Sequence, residues 1–245
     1  MFKIISAGWK CAEWMEQTIL SVTTQTVRDW QMQIMYDGGD EGGNFLAQLE
    51  HPQIDYVVND EQHFAVRNQY EGLRLLSPGP EDIIVFLDLD GDRLAHPSVL
   101  DNLLTAYSDG TTLLTYGSYQ PVPDEGTSPI AVPFPIDVVV SNSYRHYINQ
   151  PLTPCCFNHL RTMKGKVFNS TPEDQFKWDD GSWYTIGADY VFMLPALELA
   201  GGRYKCLSET LLLYNHDNPN ADWRVNPDHG CVADLLKRYP LRPLP

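Results

Sequence analysis

The first 115 residues alternate between two hydrophobic periods. Residues 2–7 form a short, mostly apolar run and predict a strand. Residues 12–24 place Trp14, Met15, Ile19 and Val22 near helical spacing. The pattern continues with a strand over 31–36, a short helix over 44–49 and a strand over 55–58. Residues 63–76 carry Phe64, Val66, Tyr70, Leu73 and Leu76 on one helical face. Residues 82–87 are an almost continuous apolar strand suited to the centre of a sheet. Pro97 opens a helix that runs to Tyr107, and a further strand covers 113–119. Strands and helices that alternate at this spacing predict parallel βαβ units with right-handed crossovers. Ligands of such sheets bind beyond the carboxyl ends of the strands. The segments to inspect are therefore 7–10, 37–43, 59–63 and 88–92.

The second half is less regular. Residues 121–135 hold five prolines and read as a crossing loop. Residues 137–187 are short mixed segments with Asp, Gly and Trp. A helix over 189–199 is ended by Gly201-Gly202, a strand follows over 203–214, and a last short helix over 232–238 precedes a Pro-rich end. No repeat, low-complexity tract or linker interrupts the chain. A single domain spanning 1–245 is the simplest organisation, with 1–115 as one half and 116–245 as the other.

The bulk numbers narrow the function classes. A chain of 245 residues, 43% apolar and 11% aromatic, supports one full core. No run approaches the roughly 18 apolar residues of a membrane span. The first segment has no apolar core of the cleavable signal type and reads as a strand. A net charge of −15 argues against nucleic acid and anionic lipid as partners. It leaves a diphosphate open, because a carboxylate-bound cation presents local positive charge. The five cysteines are odd in number, and none forms a C-x-x-C pair. They are expected to be free thiols in a reducing, cytoplasmic setting.

The candidate chemistry begins where the apolar strand ends, at Asp88-Leu89-Asp90-Gly91-Asp92. Alternate residues of an extended segment share a face, so these carboxylates converge. Converging carboxylates repel unless a cation lies between them, and hard oxygen ligands suit Mg²⁺ or Mn²⁺. The bland alternative is an acidic turn that ends a strand. A rival is the Asp-Leu-Asp-Gly nucleophile loop of haloacid-dehalogenase-type phosphatases. That loop favours Thr or Val where Asp92 stands, and it usually follows the first strand.

Several segments, in order, resemble the family 2 glycosyltransferases of the GT-A type. Ile4-Ile5-Ser6-Ala7-Gly8-Trp9 leads to Ser21-Val22-Thr23-Thr24-Gln25-Thr26. The second strand ends Tyr36-Asp37-Gly38-Gly39, and Arg67-Asn68 stands where that family begins its third helix with Arg-Asn. Asp88-Leu89-Asp90 matches the metal-binding Asp-x-Asp, and Gly187-Ala188-Asp189-Tyr190 matches the motif that supplies the catalytic base. Leu211 to His216 matches the late strand. The resemblance covers about residues 2–220 and is similar to the bacterial and viral branch that builds polysaccharide or lipopolysaccharide glycans. Two positions depart from the pattern. Trp9-Lys10 replaces an aromatic–Asn pair, and Tyr36 replaces the first Asp of a base-reading pair.

The resemblance implies an α/β, single-domain GT-A (Rossmann-like) fold. A mostly parallel central sheet is flanked by helices, with a nucleotide-sugar half and an irregular acceptor-side half. It implies sugar transfer with inversion from a nucleotide-sugar, expected to be a UDP-sugar, to a carbohydrate or other hydroxyl acceptor. Mn²⁺ or Mg²⁺ would neutralise the leaving diphosphate. Asp90 is the first candidate ligand, Asp88 faces the ribose or the metal, and His216 is a candidate third ligand. Asp189 is the candidate base, with a helix cap as its alternative role. Ala7, Lys10, Tyr36, Asp37, Arg67, Asp88 and Leu89 are the candidate donor contacts. Asp37 reads the base or the base stacks on Tyr36, and Arg67 meets a phosphate or is a surface residue. Trp178 and Trp183 stack on a sugar or pack in the core. A nucleotidyltransferase would want more Gly after the first strand than Ala7-Gly8-Trp9-Lys10 offers. An inactive binding module would be expected to lack one of the acids.

Overall fold

The computed structural model describes residues 1–126, 128–150, 157–225 and 230–245. The elements in chain order are β1 (Phe2–Gly8), α1 (Ala12–Thr23), β2 (Trp30–Tyr36), α2 (Gly42–Ala47), β3 (Ile54–Val58), α3 (Phe64–Leu76) and β4 (Ile83–Phe86). Next come β5 (Arg93–Leu94), α4 (Val99–Tyr107), β6 (Leu114–Val122), α5 (Ile136–Ser141), α6 (Tyr144–Ile148), β7 (Arg161–Lys164) and α7 (Gly165–Asn169). A 3₁₀ turn over Glu173–Phe176 leads to α8 (Ala188–Ala200), β8 (Tyr204–Asn215), α9 (Asp222–Val225) and α10 (Gly230–Leu235).

The strands form one sheet in the order β3-β2-β1-β4-β7-β6-β8-β5. The β1–β2, β2–β3, β1–β4 and β6–β8 pairs are parallel, while β7 and β5 run against their neighbours. The mostly parallel, helix-flanked sheet expected from the alternating periods is therefore present. The irregular half contributes more to it than its sequence suggests. β7 inserts between β4 and β6, so strands from both halves share a single ladder. Neither β5 nor β7 announces itself, because two and four residues are too short to display a period.

Side-chain alternation along the strands builds a core on each face. Ile4, Met32 and Val85 face α1 and α4 with Met15, Ile19, Leu100 and Leu103. Ile5, Met35, Ile84 and Phe86 face α3 and α8 with Val66, Leu73 and Phe192. Gly72 lets α3 lie flat on this face, since a Cβ there would come within 2.3 Å of Ile5 Cδ1. α8 is apolar almost all round, and 11 of its 13 residues are buried. A helix of that composition is stable only when covered on every side. α3, α6, α7 and α10 close around it.

The one charge sunk in this helix is Glu198, which is fully buried. Arg145 Nε donates to Glu198 Oε1 at 2.5 Å and Nη2 donates to Oε2 at 2.8 Å. The same guanidinium donates to Leu235 O and Gln175 Oε1, and Leu241 N–H donates to Glu198 Oε2. One ion pair thus ties α6, α8, α10 and the chain end together. Removing one partner leaves an uncompensated buried charge, worth about 3–5 kcal/mol. Glu198→Ala is expected to lower unfolding free energy by about that amount in denaturant titration. The Arg145→Met/Glu198→Leu double variant is expected to recover part of the loss.

Candidate functional site

The carboxyl ends of β1, β2 and β4 open into a single cleft. Its walls include Ala7 and Trp9 after β1, Asp37 after β2, and Asp88 and Asp90 after β4. Asn68 and Gln69 of α3, Asp189 in the first turn of α8, and Tyr214 and Asn218 at the end of β8 complete it. The β1 and β4 ends are drawn together at Gly8, where a Cβ would fall 2.9 Å from Leu89 Cβ and 2.7 Å from Cys11 Sγ. Leu89 N–H donates to Ala7 O at 2.9 Å, extending the sheet past β4 into the acidic loop.

Each of the three acids of that loop is held differently. Asp88 Oδ1 accepts from Gln69 Nε2 at 3.4 Å. Asp90 Oδ2 accepts from Asn218 Nδ2 at 2.7 Å, while Asp90 O accepts from Asn215 Nδ2 at 2.6 Å. Asp92 is 1% exposed, and its Oδ1 accepts the Asn215 N–H at 2.9 Å. Its Oδ2 is buried without a hydrogen-bond partner among the described residues. Burial raises the Asp90 carboxyl above the usual range. Burial also raises Asp92 well above it, with Asp90 and Asp88 adding repulsion.

These residues fit a hard divalent cation. Among the described residues, ligand atoms of Asp88, Asp92 and His159 lie within 4.8 Å of one another. The unpartnered Asp92 oxygen adds an unused acceptor. The two carboxylates suit Mn²⁺ or Mg²⁺ with substrate oxygens completing the shell. His159 was not anticipated from the sequence. It lies just before β7, and burial first, then Arg161, holds its imidazole low, at about 3, so the ring is neutral.

Asp37 is a second anchor. Its Oδ1 accepts from Asn59 Nδ2 at 2.8 Å and its Oδ2 accepts the Phe64 N–H at 2.8 Å. Asn59 Nδ2 also donates to Asn68 Oδ1 at 2.8 Å. The ends of β2, β3 and α3 are therefore locked around one carboxylate at the cleft wall. Asp189 is half exposed at the opposite side and forms an ion pair with Arg161, which is 3% exposed. Gly187, not Asp189, occupies the position before the helix.

Five anticipated donor or metal contacts lie elsewhere. Tyr36 is fully buried in the α1-side core, and its hydroxyl donates to Asp40, so it offers no stacking face to the cleft. Leu89 is likewise buried in that core, since it alternates with the two acids. Arg67 turns away from the cleft into surface pairs with Glu71, at 2.8 Å, and Glu61. Its neighbour Asn68, one helical step round, faces inward instead. Lys10 is at the rim, its ammonium 4.5 Å from the Trp9 ring centroid, and Trp9 is the residue that lines the cleft. His216 pairs with Glu125 at 2.7 Å, and His159 is the imidazole whose ligand atom lies near Asp88 and Asp92. Trp178 packs edge-on to Tyr184, and Trp183 packs on Tyr70. Cys11, Cys206 and Cys231 are free thiols, while Cys155 and Cys156 lie outside the described residues.

Asn68 and Gln69 carried a usable signal, because polar side chains on the buried face of an amphipathic helix are uncommon without a ligand or network. His159 and Arg161 carried none, since their segment has no period.

The sheet order, the helices on both faces and the cleft at the β1, β2 and β4 ends define the GT-A type of glycosyltransferase fold. Solved structures share it. S. aureus TarS 1–349 superposes with a TM-score of 0.62 at 12% identity, over 87% of this chain and 60% of that one. TarS 1–349 in complex with UDP-GlcNAc matches with a TM-score of 0.61 at 11% identity, over 89% and 59%. The mannosyltransferase PcManGT of Pyrobaculum calidifontis, in complex with GDP-Man and Mn²⁺, gives 0.57 at 16% identity, over 90% and 57%. This chain thus spans about three fifths of the TarS 1–349 length. No protein-family profile and no curated protein sequence matches the chain. No helix among the described residues is long and apolar enough to cross a membrane.

The raised Asp92 has a measurable consequence. Its folded-state pKa lies above the ordinary 3.8, so the folded protein holds a proton that the unfolded chain releases. Stability must then fall as pH rises from about 4 through the folded value. Asp92→Asn keeps the acceptor for Asn215 N–H and removes the charge. In chelator, thermal melting between about pH 4 and pH 8 is expected to fall less steeply for this variant, with a higher midpoint near neutrality.

Proposed function

We propose that this chain is an inverting, metal-dependent glycosyltransferase of family 2 that moves a sugar from a nucleotide-sugar, a UDP-sugar first among candidates, to a hydroxyl acceptor. The observation that carries the proposal is the convergence of Asp88, Asp90 and Asp189 on one cleft at the strand carboxyl ends. In solved structures of the same fold, UDP-GlcNAc or GDP-Man with Mn²⁺ is bound. The whole protein's activity, acceptor and partners belong to the same proposal.

Each residue then has a task. Asp37, clamped by Asn59 and Phe64 N–H, presents a fixed edge to the nucleoside, and Trp9 supplies the aromatic wall that Tyr36 does not. Asp88 and Asp90, backed by Asp92, would hold Mn²⁺ or Mg²⁺, which would supply positive charge to the departing diphosphate, while the single lone pair of the neutral His159 ring is turned to Arg161. Asp189 faces the cleft from a helix N-terminus, which favours its carboxylate form. It takes the acceptor hydroxyl's proton as the oxygen attacks the anomeric carbon and the C–O bond to the diphosphate breaks. Ala7 lets the chain after β1 approach the ligand closely.

Calorimetry with UDP, GDP, CDP and TDP, with and without Mn²⁺, tests the donor site. One nucleotide is expected to bind tightly only with Mn²⁺, and Asp90→Ala is expected to weaken that binding at least about 100-fold, since both charge and ligand are lost. Absence of binding by the folded protein to every nucleotide would overturn the donor site and favour the phosphatase alternative at Asp88. Asp189→Asn is expected to bind the nucleotide as the parent does while sugar transfer falls by about 10²–10⁴-fold.

A further inference from the structure

Arg161 is a buried cation that the tasks above do not use. It opens β7 and is fixed in the sheet opposite Phe86. Its side chain is 4% exposed, whereas that of its ion-pair partner Asp189 is 48% exposed. Its second arm, Nη2, lies 3.0 Å from both ring nitrogens of His159. His159 is itself immobilised, with ring centroids 5.8 Å from Tyr119 and 5.2 Å from Tyr214. The β4–β7 register pairs Ile84 with Met163 and Phe86 with Arg161. Beyond that pair, ligand atoms of His159 and Asp88 lie within 4.8 Å of each other. One planar guanidinium therefore reaches from His159, beside the acidic loop, to the first turn of α8.

We propose that Arg161 is the positioning residue of Asp189, with His159 gripping one arm of the guanidinium so that the other fixes the carboxylate at the cleft wall. The proposal rests on the assignment of Asp189 as the base. An Asp that is half exposed on a first helical turn has several rotamers open to it, and only one direction faces the acceptor. A rigid fork anchored on a second element removes that freedom. Proton abstraction needs the carboxylate within hydrogen-bond reach of the hydroxyl, and a displacement of about 1 Å can cost about 100-fold in rate. A guanidinium fork can engage His159 and Asp189 together. A lysine ammonium reaches one of them well.

The test compares Arg161→Met, Arg161→Lys and Asp189→Asn, each shown folded by thermal melting. Turnover is followed as nucleoside diphosphate released from UDP-GlcNAc, UDP-glucose or GDP-mannose with glycan acceptors. Arg161→Met is expected to lower kcat about 100-fold with donor KM within about twofold, and Arg161→Lys to recover about tenfold of that loss. If Asp189→Asn turns over like the parent, the base assignment falls. If Asp189→Asn is inactive but Arg161→Met turns over normally, the positioning role falls alone. Guanidinium ¹⁵N NMR with Mg²⁺ and UDP gives a readout that needs no turnover. Arg161 is expected to show hindered rotation and slow exchange that are lost in Asp189→Asn, and an unchanged signal would overturn the proposal.

Discussion

The site is organised by repulsion between carboxylates at the end of the central strand. Asp88 and Asp92 bring ligand atoms within 4.8 Å of each other. At an effective dielectric of about 20, two unit charges at that distance repel by about 3 kcal/mol. A neutral hydrogen bond returns only about 1 kcal/mol. The side-chain amides of Gln69 and Asn218 and the backbone N–H of Asn215 therefore orient the acids without neutralising them. Burial first, and this repulsion second, raise Asp92 toward its protonated form, and a bound cation would relieve the repulsion.

The fold withstands that strain because the surrounding elements are fixed independently of it. β4 is flanked by β1 on one side and β7 on the other, and both ladders are uninterrupted up to Phe86. α8 is held by its own apolar surface and by the Arg145–Glu198 network at its far end. Asp189 can then stand half exposed at the near end without destabilising the helix. The acidic loop and the base thus sit on separate, rigid supports, joined through the Phe86–Phe192 contact and through β7.

The frame of the first half was legible because its elements are long enough to show a period. β1, α1, β2, α3 and β4 fall within one or two residues of the pattern read from the chain. The acidic loop and Asp189 were legible as spaced charged residues at element ends, and the cleft brings them together. Periodicity could not tell which side of a turn a side chain takes. Tyr36 and Leu89 sit beside cleft residues in sequence and alternate into the core. Arg67 and Asn68 differ by about 100° on a helix, enough to exchange solvent for the cleft. β7 was silent because its four residues and their loop carry no repeat, and with it went His159 and Arg161.

That silence has a physical origin. A strand inserted antiparallel between two parallel neighbours is selected by tertiary pairing rather than by its own pattern, since both of its faces are already covered. Its residues are then free to be polar wherever a partner is fixed opposite. Thr162 uses this freedom, sharing hydrogen bonds with Thr115 and Tyr107 inside the core. Arg161 uses it at the cleft end of the same strand, where a buried cation meets Asp189 and His159. The inserted strand is thus both the seam between the two halves and the route by which charge reaches the wall of the site, which no local sequence signal could have expressed.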